Sequence, residues 1–210
     1  MNNGNRKISE GTISRVFAYL RELTKLADMN IRTISSSELG ERLNLSDSQI
    51  RRDLRCFGNF GTSGSGYDIN ELKKALKKVL GKGKMWNVIV VGVGHLGSAI
   101  LAYPNFKKRG LEIVAAIDKD ARKIDKEIRG VPVYSTEKLS SVVKNKNISI
   151  GIITVSADDA QGVADDMIKC GIECIMNFAP ISLNVSNNVK VKNVDFCRDL
   201  ETLSYFLANK

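Results

Sequence analysis

The chain has 210 residues, 43% hydrophobic and 26% charged, and carries a net charge of +9. That length supports one large or two small domains with real cores, and no apolar stretch approaches the ~20 residues of a membrane span. The N-terminus, MNNGNRKISEG, does not read as a secretory signal. Four cysteines (Cys56, Cys170, Cys174, Cys197) without a C-x-x-C pair or a nearby histidine argue against a metal site and for reduced thiols in a cytoplasmic protein.

Residues 1–80 hold 14 basic against 9 acidic side chains, and residues 81–210 hold 18 against 14, so the N-terminal part is the more basic per residue. Ile13, Val16, Phe17, Leu20, Leu23 and Leu26 recur at three- and four-residue spacing, which predicts an amphipathic helix over 12–28. Ser35 with Glu38 fits a capping box opening a short helix from Ser36 to Leu43, and Ser46 with Gln49 fits a second, opening a helix that runs to about Phe57. The tight turn at Asn44 and Leu45 makes the pair a helix-turn-helix pattern. In FGNFGTSGSGYDI the residues Phe57, Phe60, Tyr67 and Ile69 interleave four glycines, the pattern expected of a hairpin wing with Ser63 and Gly64 at its tip. NELKKALKKVL reads as a closing helix, and GKGK at 81–84 as a boundary between domains 1–80 and 81–210.

Beyond the boundary, strands and helices alternate. WNVIVVGV, LEIVAAID, VPVYS, ISIGIITVS and IECIMNFAP read as strands, and LGSAILAYPNF, TEKLSSVVKN and ADDAQGVADDMIKCG as helices. Such alternation predicts a parallel sheet with helices on both faces. The tail over 193–210 reads as a final amphipathic helix. The expected fold class is α/β, with an N-terminal winged helix-turn-helix domain and a C-terminal Rossmann domain.

The first strand runs into Gly92, Val93, Gly94, His95, Leu96 and Gly97, a G-x-G-x-x-G placed between strand and helix. Gly92 permits the tight turn, Gly94 lets backbone approach a pyrophosphate, and Gly97 lets helix and strand pack closely. Asp118 ends the second strand, where an acid hydrogen-bonds the ribose hydroxyls and disfavours a 2′-phosphate. The cofactor expected is therefore NAD(H), with Lys119 and Arg122 leaving a case for NADP(H). His95 is the only histidine and lies in the phosphate-facing loop rather than near the nicotinamide. With no Y-x-x-x-K and little chain left for a substrate domain, the dinucleotide reads as a signal rather than a reagent, and no catalytic residue is assigned.

At about 100° per residue, SDSQIRRDLRCF gathers Ser48, Arg51, Arg52 and Arg55 on one face and Ile50, Leu54 and Phe57 on the other, with Asp53 nearer the core side. No carboxylate is expected on the arginine face. In a helix-turn-helix this is the helix that enters the major groove, and arginine pairs with guanine or holds phosphate. With Ser46 and Gln49 at the helix start and Ser63 and Gly64 in the wing, these residues form the expected DNA-contacting set.

Taken together, ISRVFAYLR, SSSELGERL, SQIRRDL, FGNFGTSGSGY, GVGHLG, AQGVAD, GIECIMNFAP and VDFCRDLETLSYFL resemble, in that order and over nearly the whole chain, the Rex family of redox-sensing transcriptional repressors. The resemblance implies a homodimer on double-stranded operator DNA, with the last helix swapped onto the partner, NAD⁺ permitting binding and NADH releasing it. It implies further cofactor contacts at Lys119, Val155, Ser156, Asn177, Phe178, Ala179, Pro180, Tyr103 and Phe196, and a switch made of Arg15, Tyr103 and Asp195. The family commonly has asparagine where His95 stands, proline where Ser156 stands, an arginine near Ser63 and tyrosine where Cys56 stands. The first two departures bear on the nicotinamide, the last two on the operator. Two other readings remain open from the residues: an NAD-dependent oxidoreductase with an accessory module, and a constitutive DNA-binding protein whose second domain serves only dimerisation.

Overall fold

A computed structural model describes residues 8–61 and 66–209, which form two compact units, one ending at Lys84 and the other beginning at Met85. Ser63 and Gly64 lie outside the described residues.

In the N-terminal unit, α1 spans Glu10–Asp28. It starts ahead of the apolar periodicity because Ser9 caps it, its hydroxyl accepting from the Thr12 N–H at 3.1 Å. Val16, Tyr19, Leu20, Leu23 and Leu26 point into the core. The unit continues with β1 (Thr33–Ile34), α2 (Ser36–Leu43) and α3 (Asp47–Arg55). The Ser35–Glu38 capping box forms in both directions. Asn44 takes a left-handed φ of 53° to end α2, and at Gly40 an added Cβ would sit 2.5 Å from the Leu45 carbonyl oxygen. The helix-turn-helix corner is thus set by one residue that tolerates positive φ and one with no side chain.

Two expectations for this unit are corrected. At the second helix start only half a capping box forms. Ser46 accepts from the Gln49 N–H at 3.2 Å, but the Gln49 side chain turns away to Asp53. Of the hairpin expected between Phe57 and Ile69, residues 62–65 lie outside the described residues, and the described second arm pairs elsewhere. The strand β2 (Tyr67–Asp68) pairs antiparallel with β1, and residues 56–61 form no named strand. The glycines serve close approach instead: a Cβ on Gly61 would meet the Gly66 carbonyl at 2.6 Å, and Gly61 and Gly66 both have positive φ. Asp68 then caps α4 (Ile69–Val79).

The C-terminal unit comprises β3 (Trp86–Val91), α5 (His95–Leu101), β4 (Leu111–Ile117), β5 (Glu127–Ile128), β6 (Val131–Tyr134), α6 (Leu139–Asn145), β7 (Ile148–Ile153), α7 (Ala157–Lys169), β8 (Cys174–Asn177), β9 (Lys190–Asn193) and α8 (Phe196–Ala208). The sheet order is β5-β6-β4-β3-β7-β8-β9, parallel except for the edge strand β5. Separate apolar clusters cover the two faces, one including Ala160, Ala164 and Met167 of α7, the other including Leu101 of α5. From β3 the chain winds outward through β4 and then crosses to β7 on the other side. That reversal opens a crevice at the carboxyl ends of β3 and β7, where doubly wound sheets bind ligands. The helix expected over LGSAILAYPNF stops at Leu101, and β5 and β9 were not anticipated. No residue of α8 is buried.

Candidate functional site

The glycine loop leaves the end of β3 at the crevice. Gly92 has φ 93°, and a Cβ there would lie 2.8 Å from Val155 Cγ1. A Cβ on Gly97 would sit 2.0 Å from the Gly92 carbonyl oxygen. Around Gly94, its chain neighbours apart, none of the described residues comes within 4 Å of where a Cβ would stand, and no side chain caps the start of α5. Two glycines are thus required by packing and one borders open space, the distribution a bound pyrophosphate calls for. Thr154 fixes the loop from the next strand, donating to the Gly92 carbonyl at 2.6 Å. His95 and Leu96 are exposed on the first turn of α5, and Val93 is buried.

Asp118 is buried at the end of β4. Its Oδ2 accepts from the Val93 N–H at 2.7 Å and from Lys123 Nζ at 3.1 Å, and its Oδ1 accepts from the Asp120 N–H at 2.9 Å. Burial alone would raise its pKa, but the backbone donors of Asp120 and Val93 and the Lys123 ammonium hold it below the ordinary value. The carboxylate is therefore charged at neutral pH and locks the glycine loop to the strand, with acceptor capacity left on Oδ1 for a ribose hydroxyl. The cations that favoured NADP(H) are paired with acids. Lys119 lies 2.9 Å from Asp159, which also accepts from Ser156, and Arg122 lies 2.9 Å from Asp120, whose pKa falls to about 2.

Beside this cradle, Val155 is half-buried and Ser156 is exposed. Asn177 is wholly buried: its amide donates to the carbonyls of Ala179 and Ile181 and to Asn193, while its oxygen accepts from the Ala179 N–H. Its side chain thus shapes the loop carrying Phe178, Ala179 and Pro180. Phe178 meets Phe196 at a centroid distance of 6.0 Å, and Tyr103 stacks edge-on to Phe106 at 5.3 Å. Asp195 caps α8, accepting from the Arg198 N–H at 3.1 Å.

On α3 the two faces separate as the periodicity implies. Ile50 and Leu54 are buried, and Arg51, Arg52, Arg55 and Ser48 are exposed. The arginine face is not free of carboxylates, however: Arg51 pairs with Asp47 at 2.6 Å and donates to Ser36 at 2.9 Å. The exposed Ser46 and Ser48 hydroxyls bond each other at 3.0 Å. Arg15 of α1 forks onto Asp53 of α3 within its own unit, with Nε at 2.6 Å and Nη2 at 2.9 Å. Despite burial, the donors Arg15, Tyr19 and Gln49 hold Asp53 below the usual carboxylate range, and Arg15 is raised in return, chiefly by its hydrogen bond to Asp53.

Residues 7–54 match the family model described as "Putative DNA-binding protein N-terminus", and residues 83–181 match the one described as "CoA binding domain". The redox-sensing transcriptional repressor Rex of Desulforamulus reducens is 46% identical over 204 residues, covering 97% of both chains. That of Carboxydothermus hydrogenoformans is 44% identical over 95% of this chain and 96% of its own. The chain belongs to the Rex family. Among solved structures, RSP in complex with β-NAD⁺ and operator DNA superposes with a TM-score of 0.91 at 39% identity, covering 96% of this chain and 93% of that one. RSP in complex with β-NADH gives a TM-score of 0.85 at 37% identity, covering 97% and 95%. Relatives of this kind carry the name of repressors rather than of enzymes.

In this Rex-family chain the structure also brings forward residues that sequence reasoning passed over. Thr154 and Lys123 hold the glycine loop and Asp118, and Thr12 and Tyr19 surround Asp53. Only Asp53 left a trace in the sequence, as an acid on the core side of an amphipathic helix. Among the described residues no cluster of His, Cys, Asp or Glu is arranged to hold a metal, and no helix is long and apolar enough to cross a membrane.

Proposed function

We propose that the protein is a redox-sensing transcriptional repressor of the cytoplasm. It binds operator DNA as a homodimer in the presence of NAD⁺ and is released when NADH replaces it. The observation that carries the reading is the open space at Gly94 in a loop otherwise closed by packing, in the same chain as a reading helix that turns Arg52 and Arg55 outward. The loop from Gly92 to Gly97 holds the pyrophosphate, Asp118 the adenine ribose, and Val155, Ser156, Phe178, Ala179 and Pro180 border the remainder of the nucleotide, with Lys119 at its rim. Arg51, Arg52 and Arg55 meet the groove and its phosphates, helped by Ser46, Ser48 and the wing at Ser63 and Gly64. Arg15, Tyr103 and Asp195 carry the report from nicotinamide to DNA. The apolar α8, with Phe196, Leu200, Leu203 and Phe206 each 57–66% exposed, docks on a second copy of the chain.

A ligand shifts an equilibrium only through its differential affinity for the two states, so the test compares two nucleotides. Duplexes selected from a random-sequence pool are titrated with protein at one fixed salt concentration, since phosphate contacts make affinity salt-dependent. Tighter binding with NAD⁺ than with NADH supports the reading. Equal affinity with both, or steady NADH oxidation on addition of small carbonyl compounds, contradicts it.

A further inference from the structure

Asp53 is the only buried carboxylate of the N-terminal unit among the described residues, 2% exposed, and it lies between Arg52 and Arg55 on the reading helix. Its oxygens accept from Arg15 Nε at 2.6 Å and Nη2 at 2.9 Å, from Tyr19 Oη at 2.6 Å, from Gln49 Nε2 at 2.8 Å and, at 3.5 Å, from Thr12 Oγ1. Three of these four donor residues belong to α1. The other anchors of α3, Ile50 and Leu54, are apolar and impose no direction. A bidentate guanidinium–carboxylate fork does impose one. Of the donors to Asp53 only Arg15 is charged, and its side chain is 31% exposed while Tyr19 is wholly buried. Arg15 is thus a handle on the surface attached to a buried charge on the DNA-reading helix.

We propose that Asp53 is the positioning residue through which the state of Arg15 sets the pose of the reading helix. With Arg15 seated, the carboxylate is compensated and α3 is held against α1. When Arg15 leaves this seat, Asp53 keeps only the neutral donors Thr12, Tyr19 and Gln49. A buried charge without its partner is strongly unfavourable, and the relief is for α3 to shift until water reaches the carboxylate. Arg52 and Arg55, on either side of it, move with the helix. This inference rests on the repressor reading and adds to it the internal relay.

The test uses full-length Arg15→Ala, Asp53→Asn and the double variant, with operator binding measured in saturating NAD⁺ and in saturating NADH, and NADH binding followed separately by its fluorescence. Arg15→Ala should weaken operator binding with NAD⁺ on the order of tenfold, the effect of stranding a buried charge. The double variant should recover most of that loss, since an amide needs no countercharge. In both Asp53→Asn and the double variant, the ratio of operator affinities with NAD⁺ and NADH should collapse to within about twofold of unity, a non-additive pattern that separates coupling from two independent losses. NADH binding should be unchanged throughout. Additive effects, or an Asp53→Asn protein that keeps the wild-type ratio, overturn the relay. If Asp53→Asn does not fold, Arg15→Lys takes its place: it keeps the charge but loses the two-pronged fork, and an unchanged ratio of operator affinities in it overturns the relay equally. A wild-type protein indifferent to the nucleotide defeats the repressor reading itself, and the relay with it.

Discussion

Gly94 and Gly97 stand three residues apart and make opposite demands. A methyl group on Gly97 collides with the Gly92 carbonyl at 2.0 Å, whereas one on Gly94 enters open space. Gly97→Ala should therefore lower the melting temperature of the C-terminal unit and abolish NADH binding together. Gly94→Ala should leave the melting temperature nearly unchanged while weakening NADH binding, because its methyl occupies the approach of the phosphates. Calorimetry beside NADH titration separates the two, and a Gly94→Ala protein that binds NADH normally would show that the nucleotide does not use this loop. Asp53 permits a second prediction at this scale. Its folded pKa lies below the ordinary 3.8, so its contribution to stability is present above that value and is lost as pH falls through the folded pKa. Unfolding measured from pH 6 downward should show stability holding to about pH 4 and then dropping. Asp53→Asn should flatten that drop in the N-terminal unit, and an identical profile in the variant would refute the assignment.

At the scale of the element, α3 shows how far periodicity reads. Placing Ile50 and Leu54 inward and the arginines outward needs only the helical repeat, and that arrangement is found. The repeat does not say which side chains bond each other. Arg51 was expected on a face without acids, yet the preceding turn supplies Asp47, and Gln49 was expected in a capping box, yet it leans to Asp53. Both differences arise because long polar side chains choose among partners within a turn of helix at similar cost. The difference also ranks the arginines. Replacing Arg52 or Arg55 with alanine should weaken operator binding by ~1–3 kcal/mol if the residue reads a base. Arg51→Ala should cost less, since Arg51 must first leave Asp47 and Ser36. Operator titration of the three single variants checks this order, and equal losses would contradict it. The wing was the least legible segment: alternating aromatics and glycines look the same whether the strand partner is the neighbouring arm or, as here, Thr33–Ile34. β9 escaped because the polar run KVKN carries no buried alternation, and its register comes from pairing with β8.

Over the whole molecule, the order of strands and helices from Trp86 to Asn177, the two-residue edge strand β5 apart, was legible because each buried strand is a continuous apolar run bounded by turns. Pairings between side chains far apart in sequence were not, since they leave no periodic trace. Arg15 illustrates this, its observed partner lying 38 residues away. The tail is the clearest unmet demand of the fold. Leu200, Leu203 and Phe206, 60–66% exposed on one helix, form an apolar surface that an isolated chain leaves in water. Leu203→Glu with Phe206→Glu should convert the dimer to monomer by light scattering while NADH binding persists, and a variant that stays dimeric would assign the interface elsewhere. The central claim is that DNA occupancy follows the redox state of the nucleotide rather than its amount. A selected operator duplex and protein are held at constant total NAD⁺ plus NADH while the ratio is varied, and bound DNA is read by fluorescence anisotropy. Bound DNA should fall as the NADH fraction rises, with the midpoint unmoved when the saturating total is doubled at each ratio. DNA binding that ignores the ratio, or tracks only the total, would contradict the account.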